Sequence, residues 1–511
     1  MSDLLMYDWI ASHARSRPSS PALIDDHSSR VFSYADIDAR IGRLARYLRD
    51  TLGIRAGNRV ATLAHNSTNG FEVQFACLRL GAVFVPLNVR LAVPELLEIV
   101  QDCGAAALLY DSEFEQAAGD LQAQCGIKTI LMHEKGGAGP YDDAVRNGCM
   151  LEECHVNALD DCWTLIYTSG TTGRPKGVMV SYQMVVFHAI NYGFATGVTP
   201  DSHCLTFLPL FHISGLNLAA NPCLMAGGSV TVMRRFDPAR ALALLPKHTH
   251  VFGVPANYLF MQQLAEFEQA DISGIRSMGV SGAPMPIPLL DAYARKGVPM
   301  QQTFGMSETG PTVTVLSAER AFDKLGSSGL PVVHIDVQVT DAQGEPVPRG
   351  EIGELRVRGP SVTRGYWNRP EETRKAFEDG WFRTGDMVRQ DADGYFYVVD
   401  RSKNMYISGG ENVYPAEVER VIEKLDGVRE VAVLGQPHDK WGEVGHALVA
   451  INAPGALDAL EILAHCRQHL AGYKIPHAIT FVDHLPRNAT GKVDRRALSL
   501  LIPEAEAASL T

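Results

Sequence analysis

One stretch of the sequence restricts the possible fold classes of this chain more than any other stretch does: Tyr167-Thr168-Ser169-Gly170-Thr171-Thr172-Gly173-Arg174-Pro175-Lys176-Gly177. It is rich in glycine and in hydroxyl side chains. It follows the apolar segment Trp163 to Ile166. Backbone N–H groups and small hydroxyl side chains in such a loop can surround phosphate oxygens, and Lys176 adds a cation. No Gly-Lys-Ser/Thr sequence closes the stretch, which counts against an ordinary ATPase or kinase. The stretch therefore predicts a phosphate-binding loop, with a flexible surface loop as the alternative.

The sequence before this loop indicates an α/β domain. Ser33 begins a capping box, and apolar residues follow it at helical spacing, at Ile37, Ile41, Leu44 and Leu48, until Gly53. Short apolar runs then alternate with helical or turn-rich segments, as in parallel βαβ units. These runs are Val60 to Leu63, Val83 to Val85 and Ala105 to Leu109.

The sequence after about residue 400 predicts a second, smaller domain. Pro415 stands where a helix could begin, and Gly427 could end it. Two strand-like runs and a further helical stretch follow: Val431 to Leu434, Ala447 to Ile451 and Leu457 to Leu470. We place the boundary near Arg401 and Ser402, so the predicted domains are residues 1–401 and 402–511.

Composition excludes several classes of function. The 511 residues carry a formal net charge of -12 and no dense Lys/Arg run, which argues against a nucleic-acid partner. The nine cysteines form no C-x-x-C pair, as expected of free thiols in a reducing compartment. No apolar run reaches the roughly 18 residues of a membrane span, and the first residues carry no basic leader. We therefore expect a cytoplasmic protein without a transmembrane segment.

Three further motifs carry side chains suited to nucleotide chemistry. In Thr303-Phe304-Gly305-Met306-Ser307-Glu308-Thr309-Gly310, an aromatic ring beside glycine can stack on a purine, and the carboxylate can hold Mg²⁺ against phosphates. Asp386, which ends Trp381-Phe382-Arg383-Thr384-Gly385-Asp386, can accept both ribose hydroxyls. Lys492, which ends Pro486-Arg487-Asn488-Ala489-Thr490-Gly491-Lys492, can offset charge during displacement at phosphorus.

These motifs occur in the order in which one protein family carries them, and they span nearly the whole chain: Tyr167 to Gly177, Thr303 to Gly310, Trp381 to Asp386, Asp400 to Pro415 and Pro486 to Lys492. The sequence resembles the adenylate-forming superfamily of acyl-CoA synthetases, adenylation domains of peptide synthetases and luciferases. The resemblance implies a large multi-subdomain N-terminal α/β domain and a small mobile C-terminal α+β domain. It also implies an ATP-dependent, AMP-forming acid–thiol ligase that uses ATP, Mg²⁺ and coenzyme A.

The resemblance also implies roles for individual residues. Glu308 would be the magnesium ligand, Lys492 the catalytic cation, and Asp386 and Arg401 the ribose contacts. Phe304 stands where the family commonly has Tyr, which keeps the stacking and removes a phenolic hydrogen bond. The remaining residues implied to bind ATP or AMP are Thr168, Ser169, Gly170, Thr171, Thr172, Gly173, Lys176, Gly282, Ala283, Thr303, Gly305, Met306 and Ser307.

The small domain resembles that of relatives in which it rotates after adenylation. Lys403 stands at the hinge position, and Gly409 and Gly410 lie in a glycine-rich segment that can tolerate large dihedral changes. In relatives this segment reaches the pantetheine channel. Trp441 and Tyr473 resemble contacts on the coenzyme A side, although packing is nearly as good an explanation for each aromatic ring.

Six residues correspond to segments that border the acyl pocket in relatives: His212, Ile213, Ser281, Gly282, Gly310 and Pro311. They include no Lys or Arg, so a second carboxylate would lie unpaired, and we expect an apolar monocarboxylic acid. His212 could gate the pocket or polarise the acid, or simply pack. Gly310-Pro311 resembles the 4-coumarate and feruloyl–CoA ligases, and Gly282 and Gly310 would leave width for a flat ring. We favour a hydroxycinnamate-like aryl acid, with a medium- or long-chain fatty acid as the alternative.

Two other functions stay open at this point. A stand-alone adenylation enzyme would load a carrier protein instead of coenzyme A, and a nucleotide-binding regulator would have lost the chemistry. The second is disfavoured because every catalytic position is occupied. The sequence is compatible with a homodimer and does not identify the acid.

The Lys492→Ala variant tests the role of the lysine. We expect it to abolish adenylation and to leave thioester formation from supplied acyl adenylate largely intact, because the lysine would act only in the first half-reaction. Pyrophosphate exchange and single-turnover thioester assays measure the two steps separately. Equal loss in both steps would refute this role.

Overall fold

The computed structural model describes residues 4–133, 136–169, 175–282, 285–401, 404–408, 411–438, 441–453, 455, 457–470, 472–488 and 492–502. Its helices are α1 Trp9–Ser16, α2 Tyr34–Asp50, α3 Thr68–Leu80, α4 Val93–Cys103, α5 Glu115–Cys125, α6 Pro140–Asn147, α7 Tyr182–Thr196, α8 Ala220–Ala226, α9 Pro238–Leu244, α10 Pro255–Gln262, α11 Ile287–Arg295, α12 Pro370–Ala376, α13 Pro415–Ile422, α14 Ala459–His469 and α15 Arg495–Ser499.

The strands belong to four sheets. They are β1 Pro21–Asp25, β2 Arg30–Ser33, β3 Arg59–Leu63, β4 Val83–Pro86, β5 Ala105–Asp111, β6 Lys128–Met132, β7 Cys162–Ser169, β8 Pro175–Ser181, β9 His203–Thr206, β10 Ser229–Val232, β11 His250–Gly253, β12 Ser277–Val280, β13 Met300–Phe304, β14 Thr314–Val315, β15 Leu330–Pro331, β16 Asp336–Thr340, β17 Ile352–Arg358, β18 Phe377–Glu378, β19 Trp381–Gln390, β20 Phe396–Arg401, β21 Tyr406–Ser408, β22 Glu411–Val413, β23 Val428–His438, β24 Gly442–Ile451 and β25 Ala478–Phe481.

Two large sheets form the framework of the N-terminal part. One has the order β15-β14-β13-β12-β11-β9-β10-β1-β2, and the other β6-β5-β3-β4-β7-β8. Neighbours from β13 to β1 are parallel, as are neighbours from β6 to β7. The helices between these strands supply the crossovers that parallel strands require.

Two smaller sheets follow along the chain. The third sheet has the order β16-β17-β19-β18, with β20 beside β19. The fourth has the order β22-β21-β24-β23, with β25 parallel to β24. The predicted fold class, a large α/β domain followed by a small α+β domain, is confirmed.

Chain contacts group the residues into two compact units. Unit 1 comprises Met1–Val337 and Val357–Phe382, and unit 2 comprises Gln338–Arg356 and Arg383–Thr511. The division into residues 1–401 and 402–511 concerns the functional domains, and it stays a prediction.

Local sequence explains why several elements begin where they do. Ser33 accepts from the backbone N–H of Asp36, and the Asp36 carboxylate accepts in return from Ser33, so the predicted capping box opens α2. Pro415 occupies the first turn of α13. A backbone N–H at this position has no partner within the helix, so the missing N–H of proline costs no hydrogen bond. The α13 helix ends at Ile422, earlier than Gly427, because Leu425 and Gly427 belong to the turn that leads into β23.

An aromatic cluster anchors β7 in the core of unit 1. Trp163 is fully buried, and its ring centroid lies 5.4 Å from Phe75, 5.6 Å from Trp9 and 5.2 Å from Tyr182, on which it stacks. Its indole N–H donates to the Gln74 carbonyl on α3 at 3.0 Å. Burial and the hydrogen bond together fix the strand that leads into the predicted phosphate loop.

All nine cysteines are free, and five of them are buried: Cys77, Cys103, Cys204, Cys223 and Cys466. Burial raises the pKa of the Cys103 thiol to about 11 and that of Cys223 to about 12. It raises the pKa of the other three buried thiols as well.

No helix in the part of the chain that the structure describes is long and apolar enough to cross a membrane.

Two buried histidines should make unit 1 sensitive to acid. Burial lowers the pKa of His188 and His250 to about 4 from the ordinary 6.5. Between pH 4 and pH 6.5 the unfolded chain binds protons at these two histidines that the folded chain does not bind. The free energy of unfolding is therefore highest above pH 6.5 and falls as the pH drops towards 4. Each histidine should cost roughly 3 kcal/mol below that window.

The His250→Gln variant tests this expectation. Glutamine can still donate to the Thr196 carbonyl, which His250 Nε2 contacts at 3.1 Å, but it cannot titrate. The melting temperature of the variant should fall less steeply below pH 6.5 than that of the wild type. His27→Gln, at an exposed turn position, is the control and should follow the wild type. An unchanged pH slope in His250→Gln would contradict the argument.

Candidate active site

The carboxyl ends of parallel strands form one edge of the nine-stranded sheet. The strands β9, β11, β12 and β13 are neighbours in this sheet and run parallel. Ser281 and Gly282 follow β12, Thr303 and Phe304 end β13, and His212 lies in the segment after β9. Ligands of open α/β sheets bind at this kind of edge. The structure therefore brings these predicted binding residues to one edge.

Two glycines after β13 are required by close backbone contacts. A Cβ at Gly305 would overlap the Pro311 carbonyl, and Gly310 has a φ of 76° and faces the Ser361 carbonyl. Between them, the Met306 backbone N–H donates to Thr309 Oγ1 at 3.0 Å, and Ser307–Thr309 form a 3₁₀ turn. This turn places Glu308 beyond the end of the strand.

The predicted phosphate loop joins two antiparallel strands. In the β7–β8 hairpin, Thr168 lies opposite Lys176, and Ser169 lies opposite Pro175. The residues at the tip, Gly170, Thr171, Thr172 and Gly173, lie outside the described residues. The described flanks of the loop therefore carry a hydroxyl residue, Thr168, and a lysine, Lys176, at paired positions.

Glu308 and Lys176 both contact the side chain of Tyr366. The Tyr366 hydroxyl donates to Glu308 Oε1 at 2.9 Å, and Lys176 Nζ lies 5.4 Å from the centroid of the Tyr366 ring. A carboxylate is a good ligand for Mg²⁺, and a lysine beside it can bind phosphate oxygens. Tyr366 was not predicted from the sequence, although the two adjacent aromatic residues Tyr366 and Trp367, which follow Gly365 between two motifs, were a signal that could have identified it.

The segment after β9 carries the predicted acyl-pocket residues His212 and Ile213. His212 is half-buried with its ring centroid 5.3 Å from that of Phe211, and Ile213 is buried. A π-helical turn, Ser214–Leu218, follows directly. Such turns are rare and are often found at functional sites.

In unit 2, Asp386 and Arg401 are paired positions of neighbouring strands. They are Cα partners in the β19–β20 ladder. Asp386 is buried, and its backbone N–H donates to Thr384 Oγ1, which in turn donates to the Leu355 carbonyl. This network fixes the backbone that carries the acid, so the two predicted ribose contacts stand side by side.

Lys492 is an exposed residue of unit 2 whose backbone is hydrogen-bonded to Asn488. The Asn488 backbone N–H donates to the Lys492 carbonyl at 2.8 Å, and the Asn488 side chain accepts from the Lys492 N–H at 3.1 Å. The backbones of Arg487 and Val493 form an antiparallel β-bridge beside them. The lysine therefore lies on the surface of its own unit.

The predicted coenzyme A contacts lie near one hairpin of unit 2. Strands β21 and β22 are antiparallel, and Ser408 is the Cα partner of Gly442, next to Trp441. Trp441 and Tyr473 are 43% and 39% exposed, so both rings are accessible from solvent. Gly409 and Gly410, at the tip of the hairpin, lie outside the described residues, as do Ala283 and the predicted hinge residue Lys403.

Among the described residues, no group of three or more His, Cys, Asp or Glu side chains could hold a metal ion. The predicted magnesium site has a single protein ligand, Glu308, so phosphate oxygens and water would have to complete it. Such sparse protein ligation is usual for Mg²⁺ in nucleotide sites.

Comparisons with known proteins identify the family. The family model of AMP-binding enzymes matches residues 10–367, and that of the AMP-binding enzyme C-terminal domain matches residues 417–492. A feruloyl-CoA synthase of Amycolatopsis sp. is 40% identical over 95% of this chain and 96% of its own length. A long-chain fatty acid–CoA ligase of Mycobacterium tuberculosis is 37% identical over 94% of this chain and 95% of its own.

A solved structure agrees with these relatives. The o-succinylbenzoate CoA synthetase of Bacillus subtilis, in complex with its acyl-adenylate intermediate, superimposes with a TM-score of 0.87. It is 33% identical and covers 97% of this chain and 98% of its own.

The chain belongs to the AMP-binding enzyme family, within the AMP-forming acyl-CoA synthetases of the adenylate-forming superfamily. The resemblance predicted from the motifs is thereby confirmed. The protein is accordingly an ATP-dependent acid–thiol ligase of a family that uses ATP, Mg²⁺ and coenzyme A.

The Asp386→Ala variant tests the ribose contact. We expect a higher KM for ATP, or a lower kcat/KM, because the ribose hydroxyls lose their acceptor. Steady-state kinetics at varied ATP measure this effect. Asp393→Ala, at an exposed position in the turn between β19 and β20, is the control and should keep wild-type ATP kinetics. Normal ATP kinetics in Asp386→Ala would remove this acid from the site.

Proposed function

We propose that this ligase adenylates an apolar monocarboxylic acid, with a hydroxycinnamate-like aryl acid as the preferred substrate, and transfers the acyl group to coenzyme A. The arrangement of Glu308, Tyr366 and Lys176 carries the adenylation step of the proposal. Within unit 1, this arrangement brings together a carboxylate, a group that binds Mg²⁺ well, and the lysine of the phosphate loop. A protein that had kept only nucleotide recognition would not need this pairing of charges.

The first half-reaction forms the acyl adenylate. The substrate carboxylate attacks the α-phosphorus of ATP, and the bond to the pyrophosphate oxygen breaks. Mg²⁺ held by Glu308 would neutralise charge on the phosphate oxygens. Lys176 would bind the phosphates of the leaving group, and Lys492 would offset charge between the carboxylate and the α-phosphate.

Nucleotide recognition would be shared among several groups. Phe304, at the end of β13, would stack on the adenine, and Asp386 would accept both ribose hydroxyls with Arg401 beside it. Backbone groups near Gly282, Gly305 and Ser307 would surround the adenylate at the carboxyl ends of β12 and β13.

The second half-reaction transfers the acyl group. The coenzyme A thiolate attacks the acyl carbonyl, AMP leaves, and the new bond is a thioester. The substrate supplies the nucleophile, so no cysteine of the protein is required. Trp441 and Tyr473 would contact the incoming coenzyme A, and their exposure supports that role.

Two observations bear on the choice of acid. The match to a feruloyl-CoA synthase supports an aryl acid, and the match to a long-chain fatty acid–CoA ligase supports the alternative. Gly310 has a packing reason to be glycine, because its Cβ would lie 2.6 Å from the Ser361 carbonyl oxygen. Gly282 likewise has a backbone reason to be glycine, a φ of 86°, so the preference for an aryl acid rests mainly on the relatives.

The free cysteines support a cytoplasmic location, and a homodimer stays a prediction.

A panel of acids tests the substrate. We expect kcat/KM for ferulate and 4-coumarate to exceed that for octanoate and palmitate by about tenfold or more, since binding in an apolar pocket discriminates by such factors. The assay measures AMP formation that depends on coenzyme A, with benzoate as the control for the ring alone. A preference for palmitate would overturn the aryl substrate. A preference for malonate would overturn the apolar pocket.

A further inference from the structure

The segment of residues 363–369 runs beside the strand that carries Lys176. Tyr366 forms an antiparallel bridge with Val178, and the Trp367 N–H donates to the Gly177 carbonyl at 2.8 Å. The Met179 N–H donates to the Gly365 carbonyl at 3.2 Å. The segment is therefore hydrogen-bonded along β8, immediately after the phosphate loop.

The same segment holds Glu308 at two points. The Thr363 N–H donates to the Glu308 carbonyl at 2.7 Å, and the Tyr366 hydroxyl donates to Glu308 Oε1 at 2.9 Å. The first bond fixes the backbone and the second orients the carboxylate. The position of this carboxylate relative to β8 therefore depends on one short segment.

The face of the Tyr366 ring completes the arrangement. Lys176 Nζ lies 5.4 Å from its centroid, within the range of a cation–π contact. One side chain thus contacts both the lysine of the phosphate loop and the carboxylate. The hydroxyl and the ring make separate contacts, so a substitution can remove the contact of the hydroxyl and keep that of the ring.

The far end of the segment is attached to β7. Arg369 Nη2 lies 2.6 Å from Asp102 Oδ1, and the Tyr167 hydroxyl donates to Asp102 Oδ2 at 2.7 Å. Both strands of the hairpin are therefore bonded to residues 363–369, directly or through Asp102. These bonds connect the segment to both strands at the base of the phosphate loop.

We propose that Tyr366 is a positioning residue of the magnesium site, which orients the Glu308 carboxylate through its hydroxyl and the Lys176 ammonium through its ring. The inference rests on the proposed role of Glu308 as magnesium ligand. A hydrogen bond to a ligating carboxylate fixes its orientation, and loss of such a bond typically costs about 10- to 100-fold in metal affinity.

Tyr366→Phe tests the hydroxyl, because it keeps the ring that faces Lys176. Mg²⁺ is titrated into the full-length chain with ATP, by calorimetry, and into the pyrophosphate exchange assay with ferulate. The half-saturating Mg²⁺ concentration should rise about 10- to 100-fold. The rate at saturating Mg²⁺ should stay near that of the wild type, and so should the KM for coenzyme A. A merely structural role would lower the rate at every Mg²⁺ concentration.

Tyr141→Phe is the matched control. Its hydroxyl donates to Glu72 Oε2 at 2.6 Å in the core of unit 1, so the variant also removes a tyrosine-to-carboxylate hydrogen bond. It should lower the melting temperature and leave the Mg²⁺ titration unchanged. If Tyr366 acts through Glu308, adding Tyr366→Phe to Glu308→Gln should cost little more than Glu308→Gln alone.

The outcomes separate the two proposals. If ATP binding to the wild type does not respond to Mg²⁺, or if Glu308→Gln titrates like the wild type, the magnesium assignment of the proposed function fails. If Glu308→Gln loses its response while Tyr366→Phe keeps a wild-type titration, the proposed function stands and the positioning role of Tyr366 is wrong. Additive losses in the double variant would also overturn that role.

Discussion

The buried indole of Trp163 holds the strand on which the phosphate hairpin depends. Its ring packs among Phe75, Trp9 and Tyr182, and its N–H is bonded to the carbonyl of Gln74. Deleting so large a buried ring costs about 3–5 kcal/mol, a large part of the stability of an ordinary domain. A loop that binds phosphates with its backbone has to keep its N–H groups pointing at the phosphate oxygens. It can do so only if the strand before the loop stays in place. The aromatic core would therefore also support the proposed nucleotide site.

Glycine serves a different purpose near the turn that carries Glu308. At Gly305 and Gly310 the backbone lies against other backbone, at the Pro311 and Ser361 carbonyls, and a side chain would displace it. The turn is consequently held by contacts between main chains, which do not vary with small side-chain changes. Rigid main-chain support of this kind would let the Glu308 carboxylate define the proposed Mg²⁺ position, which water and phosphate oxygens would complete.

The sequence predicted the features that depend on short stretches. The capping box at Ser33 and the apolar spacing of α2 are local, and the structure has both. The strand after Pro175 was not predicted, because Pro175-Lys176-Gly177 has the composition of a turn, and only pairing with β7 makes it extended. The contact between Tyr366 and Glu308 joins residues 58 positions apart, with no periodicity to connect them. Candidate side chains could be named from motifs, but the residues that hold them in place required the fold.

The buried thiols have a consequence for an enzyme whose second substrate is itself a thiol. Disulfide exchange proceeds through attack by a thiolate, and a raised pKa keeps Cys103, Cys223 and the other buried cysteines protonated. Oxidised coenzyme A is a disulfide, and these buried, protonated thiols are poor partners for exchange with it. The core of the protein is thus slow to form mixed disulfides with the thiol that the ligase reaction consumes.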